Sequence, residues 1–501
     1  MKRGVRSLLP GERADLGKPA ERVAGEVKKK AEGEIGKEAI KVPEESSEGE
    51  IKGELKSSQL LEKDVKKPSL LPLLSVNFIG TLGFSIVLPF LVFLVERLGG
   101  NAFVYGLISS MYPACQLVGG PLLGRWSDIY GRKKVLLLSQ LGTLFSWIIF
   151  LAALFLPAFV LLQVDSDLVG SFVFTLPLAV LFFARALDGL TGGNVSVANA
   201  YLADITPEKE RNRSFGRMAI STNLGFIIGP ALAGLLSVTE YGEALPVFGA
   251  VLISLLGVYL IVVYLPESKE CAFGLAERGK TPLPEGQNVR KIFGYQLREC
   301  RNSSEVEALG FKELLKLPFL SYMFGLYFLI FFGFNLFYTA FPLHAIARLD
   351  WSIVDMGLYF TVLSSLLVFV QGPGLLRASK RYSEANLVIF GCFLLGTNFL
   401  LLIPGNLFLI YLAAGFFAVG DGLMWPSFLS LLSKFAGKDS QGTVQGFASS
   451  FGGLASISGL ILGGFFYGQL GANTFLIASF IIYFVFLLSF RLLRFEKDLR
   501  I

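Results

Sequence analysis

From about residue 69 onward the chain repeats one pattern, a long apolar stretch followed by a short polar break. Twelve such stretches lie at about 69–95, 103–126, 134–156, 173–202, 215–237, 245–265, 318–344, 353–376, 385–404, 407–433, 441–468 and 470–490. Each is long enough to be a membrane-crossing helix, which needs roughly 20 apolar residues. Gly and Pro interrupt several of them, as membrane helices tolerate. The longest polar break, Glu267–Leu317, divides the stretches into six and six. Residues 1–68 show the opposite pattern, with 16 Lys/Arg and 14 Asp/Glu alternating among Gly and Ser. Such a composition cannot bury a core and reads as a disordered, solvated tail, with a docking role as the alternative. No apolar stretch with a cleavage site follows its basic start, so a signal peptide is not expected. The predicted fold class is an all-α membrane protein of twelve transmembrane helices in two six-helix bundles. Its predicted parts are a tail (1–68), a first bundle (69–266), a central loop (267–317), a second bundle (318–494) and a short C-terminus (495–501).

The two halves share sequence. A shift of 252 places Gly120-Pro121 on Gly372-Pro373, Arg125 on Arg377, Ser127 on Ser379 and Tyr130 on Tyr382. A shift of 233 places Asp188-Gly189-Leu190 on Asp421-Gly422-Leu423, and one of 234 places Gly225, Gly229 and Gly234 on Gly459, Gly463 and Gly468. Three matches in order at nearly constant offset indicate duplication. Parallel repeats about a central cavity suit alternating access and make the bundles pseudo-symmetric.

Composition and charge sharpen this picture. The chain of 501 residues is 53% apolar and 17% charged, with 47 Phe, where soluble domains carry about a quarter charged residues. Its net charge of +6 does not point to nucleic acid, because the basic residues sit in short loops where membrane topology accounts for them. With the tail inside, the inner short loops hold thirteen Lys/Arg and the outer ones only Arg97 and Arg348. Both termini and the central loop are therefore expected in the cytoplasm. The plasma membrane is expected rather than an internal one. The glycosylation patterns at Asn212 and Asn302 fall on the cytoplasmic side and are discounted. Cys115, Cys271, Cys300 and Cys392 have neither metal-ligand nor disulfide spacing. No metal, cofactor or nucleophile–base arrangement is expected, and the chain is not expected to be an enzyme.

The loop after the second stretch reads GRWSDIYGRKK. Gly124, Asp128, Gly131, Arg132 and Lys133 match the gate-loop signature of the major facilitator superfamily of secondary transporters, which this chain resembles; Ile129 replaces a usual basic residue. Gly124 would allow two helices to approach, and Asp128 could face a helix N-terminus or a cation across the cytoplasmic seam. The resemblance implies a latch that holds the inner gate shut; the bland alternative is that the basic residues only anchor topology.

The fourth stretch carries Arg185 and Gly189, then an Ala-Tyr-(apolar)-Ala-Asp run and a Glu-Arg loop, as in tetracycline-efflux and related drug–proton antiporters. Asp188 lies one helical turn from Arg185 and can neutralise it. The pair is either a structural ion pair or a cavity-lining group for proton transfer or substrate. The fifth stretch contains GFIIGPALAG, whose Gly225, Gly229, Pro230 and Gly234 resemble the glycine–proline signature of antiporters in the superfamily; packing alone is the alternative. Ala233 stands where many members have a second Gly. Tetracycline-type exporters carry an acid nine residues before a proline in the first span, but here Pro89 points back to Gly80. Asp188 and Asp421, the repeat-related pair, are the candidate replacements. Asp421 has no cation in its own helix, so it is either a functional carboxylate or one satisfied by neighbouring polar groups. His344, the single histidine, lies at the outer end of the seventh stretch, either structural or titrating.

GLAERGKT, Gly274–Thr281, fits a phosphate-loop pattern, but no strand precedes it and Pro282 and Pro284 oppose a following helix. YLPESKE after the sixth stretch resembles a sugar-porter signature without its closing Pro-Arg. The resemblance to drug–proton antiporters implies export of a small amphipathic or lipophilic molecule with protons as coupling ion, by a monomer embedded in lipid. An importing symporter and a non-transporting membrane receptor or scaffold remain as alternatives.

Overall fold

The computed structural model describes residues 70–192, 194–206, 211–268 and 318–498. The expected tail, all but the first two residues of the expected central loop, the phosphate-loop-like segment, Cys271 and Cys300 lie outside the described residues.

Helix accounts for most of the chain. The first half comprises α1 (Leu71–Ser85), α2 (Leu91–Arg97), α3 (Ala102–Tyr130), α4 (Arg132–Ala153), α5 (Leu176–Thr191), α6 (Asn194–Ile205), α7 (Arg211–Ser237) and α8 (Ala244–Tyr264). The second comprises α9 (Pro318–Leu349), α10 (Ile353–Phe369), α11 (Leu375–Ala378), α12 (Glu384–Leu402), α13 (Leu407–Leu470) and α14 (Thr474–Asp498). Among the described residues, nine helical segments are long and apolar enough to cross a membrane. The expected twelve crossings are compatible with this: every predicted stretch is occupied by helix, and the nine leave out α1 and α3 and take the end of α13 together with α14 as one segment.

Local chemistry explains the breaks. The first stretch splits into α1 and α2 at residues 86–90, where Pro89 lacks the N–H that would continue the helix. Asn101 caps α3 by accepting from Val104 N at 3.1 Å. Gly131, at φ 108°, makes the tight corner between α3 and α4 that a side chain would oppose. Ser352 and Asp355 form a capping box at the start of α10. Between α10 and α11, Val370–Gly374 widens into a π turn around Pro373, whereas the repeat-related Pro121 sits inside an unbroken α3.

Two features depart from the predicted pattern. The fold is not purely α: Val160–Val164 and Phe172–Thr175 pair as an antiparallel hairpin, β1 and β2, between α4 and α5. These short runs of β-branched, aromatic and aliphatic residues flank a turn with Gly170 at φ 75°, and backbone pairing satisfies their polar groups. The tenth and eleventh stretches form one continuous helical run of 64 residues, which would be about 96 Å long if straight. It is not straight. The Tyr327 ring lies 5.1 Å from Trp425, and a Cβ on Gly452 would come within 2.7 Å of it, whereas straight helix would separate those positions by about 40 Å. The chain therefore doubles back inside α13 while keeping helical hydrogen bonding.

One end of the molecule carries the basic corner at Gly131–Lys134, and the opposite end carries the hairpin. Burial in the first half splits accordingly. A hairpin-end cluster includes Phe90, Trp147, Phe150 and Leu181, and a basic-end cluster includes Val135, Val197, Tyr201 and Ile261. Between them runs a belt of polar side chains. Asn77 donates to Thr222 Oγ1 at 2.8 Å, Ser85 donates to the Gly225 carbonyl at 2.9 Å, and Gln140 donates to the Ser254 carbonyl at 3.3 Å. Such bonds hold helices together where lipid provides no hydrophobic drive between them. The second half has one contiguous aromatic core along α9, including Phe324, Phe337, Phe341 and Phe417.

Candidate functional site

At mid-height in the first half, α5 presents Arg185 and Asp188 on one face, with Nη1 and Oδ2 3.4 Å apart and both side chains more than nine-tenths buried. The guanidinium carbon lies 5.2 Å from the Tyr112 ring centroid, and Thr143 hydrogen-bonds Asp188. Arg185 Nε has no hydrogen-bond partner among the described residues. Gln116 steadies the far side of this cluster by donating to Tyr112 OH at 3.1 Å and to the Gly192 carbonyl at 2.8 Å.

Beside it lies a cavity of about 230 Å³ whose wall includes Asn77, Gly80, Thr81, Phe84, Tyr112 and Gln116. Drug-sized ligands use pockets of roughly 300–1,000 Å³, so in this conformation the cavity accommodates only part of such a molecule. Gly80, the position at which tetracycline-type exporters carry an acid, forms part of its wall.

Asp421 of α13 is half-buried and, among the described residues, has neither an ion pair nor a hydrogen bond. It interacts electrostatically with Tyr338 of α9 and Cys392 of α12. Tyr338 interacts in turn with Tyr105 of α3, and Tyr105 with Arg185.

At the basic end, the corner at Gly131 sets Arg132 against the end of α6. Arg132 Nε donates to Asp204 Oδ2 at 3.0 Å and Nη1 to Ser127 Oγ at 2.6 Å. Ser268 donates to the same Asp204 oxygen at 3.2 Å. Lys133 donates its backbone N–H to Glu267 Oε1 at 3.1 Å and its ammonium to the Val262 carbonyl at 3.1 Å. Arg132 and Lys133 are therefore engaged within the first half. The side chain of Asp128 lies outside the described residues. The close helix approach expected at Gly124 is absent in this conformation: a Cβ there would meet nothing within 4 Å. Glu267 was not singled out by sequence, and Asp204 entered only as the acid that closes the Ala-Tyr-(apolar)-Ala-Asp run, with no partner assigned. Glu267 lies in the YLPESKE run, set aside because its closing Pro-Arg is missing, yet an acid directly after a span and opposite a basic corner was a usable signal.

The Arg132–Asp204 pair is only 14% and 24% exposed, which places it above a free surface pair. Asp204→Asn is expected to lower stability by about 1 kcal/mol and slow transport several-fold. Thermal unfolding in detergent and flux in vesicles check this; wild-type values in both would reduce the cluster to decoration.

The glycine–proline run of α7 divides its contacts between two faces. Gly225 and Gly229 lie against Thr81 and Ser85 of α1 within the same half. Pro230 and Gly234 lie against α10 of the other half, where a Cβ on Gly357 would fall 2.6 Å from the Pro230 carbonyl oxygen. An equivalent contact joins α3 to the returning arm of α13, where a Cβ on Gly106 would fall 2.5 Å from the Leu460 carbonyl oxygen and one on Gly464 would overlap the Ala102 carbonyl. Gln469 adds a donation to the Leu168 carbonyl at 2.8 Å across the same end. The hairpin end is thus sealed by backbone-to-backbone packing. His344 is fully buried there, with Nδ1 3.4 Å from Tyr467 OH and its ring against Phe475.

The geometry is that of two packed halves with polar groups at mid-depth, and known proteins share it. The chain is 26% identical over 412 residues to the class H tetracycline resistance protein of Pasteurella multocida, covering 80% of this chain and 89% of that one. It is 26% identical over 422 residues to multidrug resistance protein 2 of Bacillus subtilis (strain 168), covering 83% and 93%. In fold it is similar to the human organic anion transporter MFSD10, with a TM-score of 0.58 at 22% identity over 84% of this chain and 98% of that one. The family profile of the Major Facilitator Superfamily matches residues 73–459 and 323–500, and the chain belongs to that superfamily as an integral, multi-pass membrane transporter.

Proposed function

We propose that this transporter exports a small amphipathic or lipophilic compound in exchange for protons, by alternating access. The observation that carries the reading is the placement of the glycine–proline run. Pro230 and Gly234 pack against Gly357 at one end of the seam between halves, where a rocking motion would have to make and break contact. The tetracycline and multidrug resistance proteins among its relatives support export. In this reading the basic end, both termini, residues 1–68 and the loop 267–317 face the cytoplasm of a cell whose plasma membrane holds the protein as a monomer. Gly124, Asp128, Gly131, Arg132 and Lys133 serve the inner gate, and Arg185, Asp188 and Asp421 serve the proton and the substrate.

Import by symport is the second reading, favoured by Gly80 at the place of the first-span acid. Proteoliposomes of the purified protein with an internal pH dye separate the two. Proton flow opposite to an added lipophilic compound is the expected result; flow in the same direction would establish the symporter and leave the glycine run as packing.

A further inference from the structure

The cavity beside the Arg185–Asp188 pair has a chemistry of its own. Its wall includes residues 77, 80, 81 and 84, which share one face of α1. Tyr112 and Gln116 join them from one turn of α3, and Thr222 and Phe226 from one turn of α7. Among the described residues that line it, none is Asp, Glu, Lys, Arg or His. We propose that this cavity binds an uncharged aromatic compound through an O–H or N–H donor, which the side-chain oxygens of Asn77 and Gln116 accept. This rests on the export reading and names the class of compound carried.

The two amides set the polarity of the wall. Gln116 Nε2 commits both its protons, to Tyr112 OH at 3.1 Å and to the Gly192 carbonyl at 2.8 Å. Asn77 Nδ2 donates to Thr222 Oγ1 at 2.8 Å, to the Met218 carbonyl at 3.3 Å and to Ser221 Oγ at 3.4 Å. A carbonyl only accepts, so Gly192 and Met218 hold each amide with its nitrogen toward the protein and its oxygen free. Asn77 Oδ1 and Gln116 Oε1 accept from no group among the described residues, and neither is sealed from the accessible surface. Thr81 commits its proton to the Asn77 backbone carbonyl at 3.0 Å. The hydroxyls of Tyr112 and Thr222 both give and take. The fixed polar features of the wall are therefore two acceptors and no donor.

Rings supply the apolar part. Phe84 lies 5.1 Å from Tyr112 and 6.3 Å from Phe226, centroid to centroid, and an aromatic frame packs against such a group. A volume of about 230 Å³ suits one or two rings rather than a drug-sized molecule. An organic cation finds no carboxylate in this wall, and Asp188, which neighbours Tyr112, already pairs with Arg185. An anion meets two amide oxygens. Burying either charge unpaired costs far more than burying a neutral donor that finds its acceptor. A ligand of the same shape without a donor leaves both oxygens unpaired, and a site built to hydrogen-bond rejects such an analogue.

The test is binding of tritiated 1-naphthol to the full chain in detergent, by equilibrium dialysis against protein-free micelles. Competitors are 1-methoxynaphthalene, the same frame without the O–H, and 1-naphthylmethylammonium, a cation on that frame. Wild type should bind naphthol saturably, and the ether and the ammonium at least about tenfold more weakly. Gln116→Met removes one acceptor; it should lose about tenfold for naphthol and nothing for the ether, so the discrimination collapses. Gly80→Asp places a carboxylate in the wall and should reverse the order in favour of the ammonium. A misfolded variant loses all three ligands and gains none, so the gained ammonium binding reads the site independently of the Gln116 variant. Absence of saturable naphthol binding, equal affinity for naphthol and ether in wild type, or full discrimination in Gln116→Met would overturn the site. A Gly80→Asp variant that binds naphthol and still rejects the ammonium would also count against it. If naphthol does not bind but another compound exchanges with protons in proteoliposomes, the site fails and export stands. Naphthol binding with no proton movement would keep the site and remove the antiport.

Discussion

Gly464→Val is expected to slow transport sharply while leaving the protein folded. A Cβ on Gly464 would overlap the Ala102 carbonyl and lie 3.1 Å from Gly106 Cα, where backbone meets backbone. Ordinary carbon contacts sit at about 3.5–4.0 Å, so a valine must push α3 and α13 apart. Overpacking costs about 1–3 kcal/mol, a 5- to 150-fold shift in the population of the sealed seam. The penalty applies only while the hairpin end is closed, so the variant should accumulate open at that end and cycle slowly. Gly357→Val should act alike, because its Cβ meets the Pro230 carbonyl at the repeat-related contact. Spin labels at the exposed positions Leu168 and Leu470 would report a longer distance, alongside lost flux. Normal flux with an unchanged distance would mean that the seam does not open.

The second large effect concerns the buried pair of α5. Asp188→Ala leaves Arg185 charged, 5% exposed and without its carboxylate. Removing one partner of a buried pair costs about 3–5 kcal/mol, because the remaining charge is uncompensated. The variant should melt far below wild type in detergent. Replacing both residues, Arg185→Met with Asp188→Leu, should restore most of that loss, since apolar residues of similar volume substitute well for a buried pair. Flux in the double variant then decides between the two roles. Stability restored without flux would assign the pair to proton or substrate handling; stability and flux both restored would make it structural. Wild-type melting of Asp188→Ala would contradict the burial argument itself.

How far these positions were legible before any coordinates differs from residue to residue. The helices were legible, because a bilayer forces roughly 20 apolar residues into each crossing and leaves the signature in consecutive residues. The pairing of Arg185 with Asp188 was legible because both lie one turn apart on one helix. The hairpin at Val160–Thr175 was missed, since its short apolar runs look like the fraying ends of adjacent spans. Gly124 was expected in a helix contact and stands open, because a glycine permits close approach without specifying a partner.

The family, the duplication and the identity of the unusual charges were thus determined by the sequence itself, all of them local or register-based signals. Which charge has a partner on another helix was decided only by the tertiary structure. Lys133 meets Glu267, Gly106 meets Gly464, and Trp425 meets Phe331 across separations that no hydropathy period encodes. Periodicity reports the face of a helix that avoids lipid or water. The neighbour on that face follows from how the two halves pack, which is a property of the assembled chain.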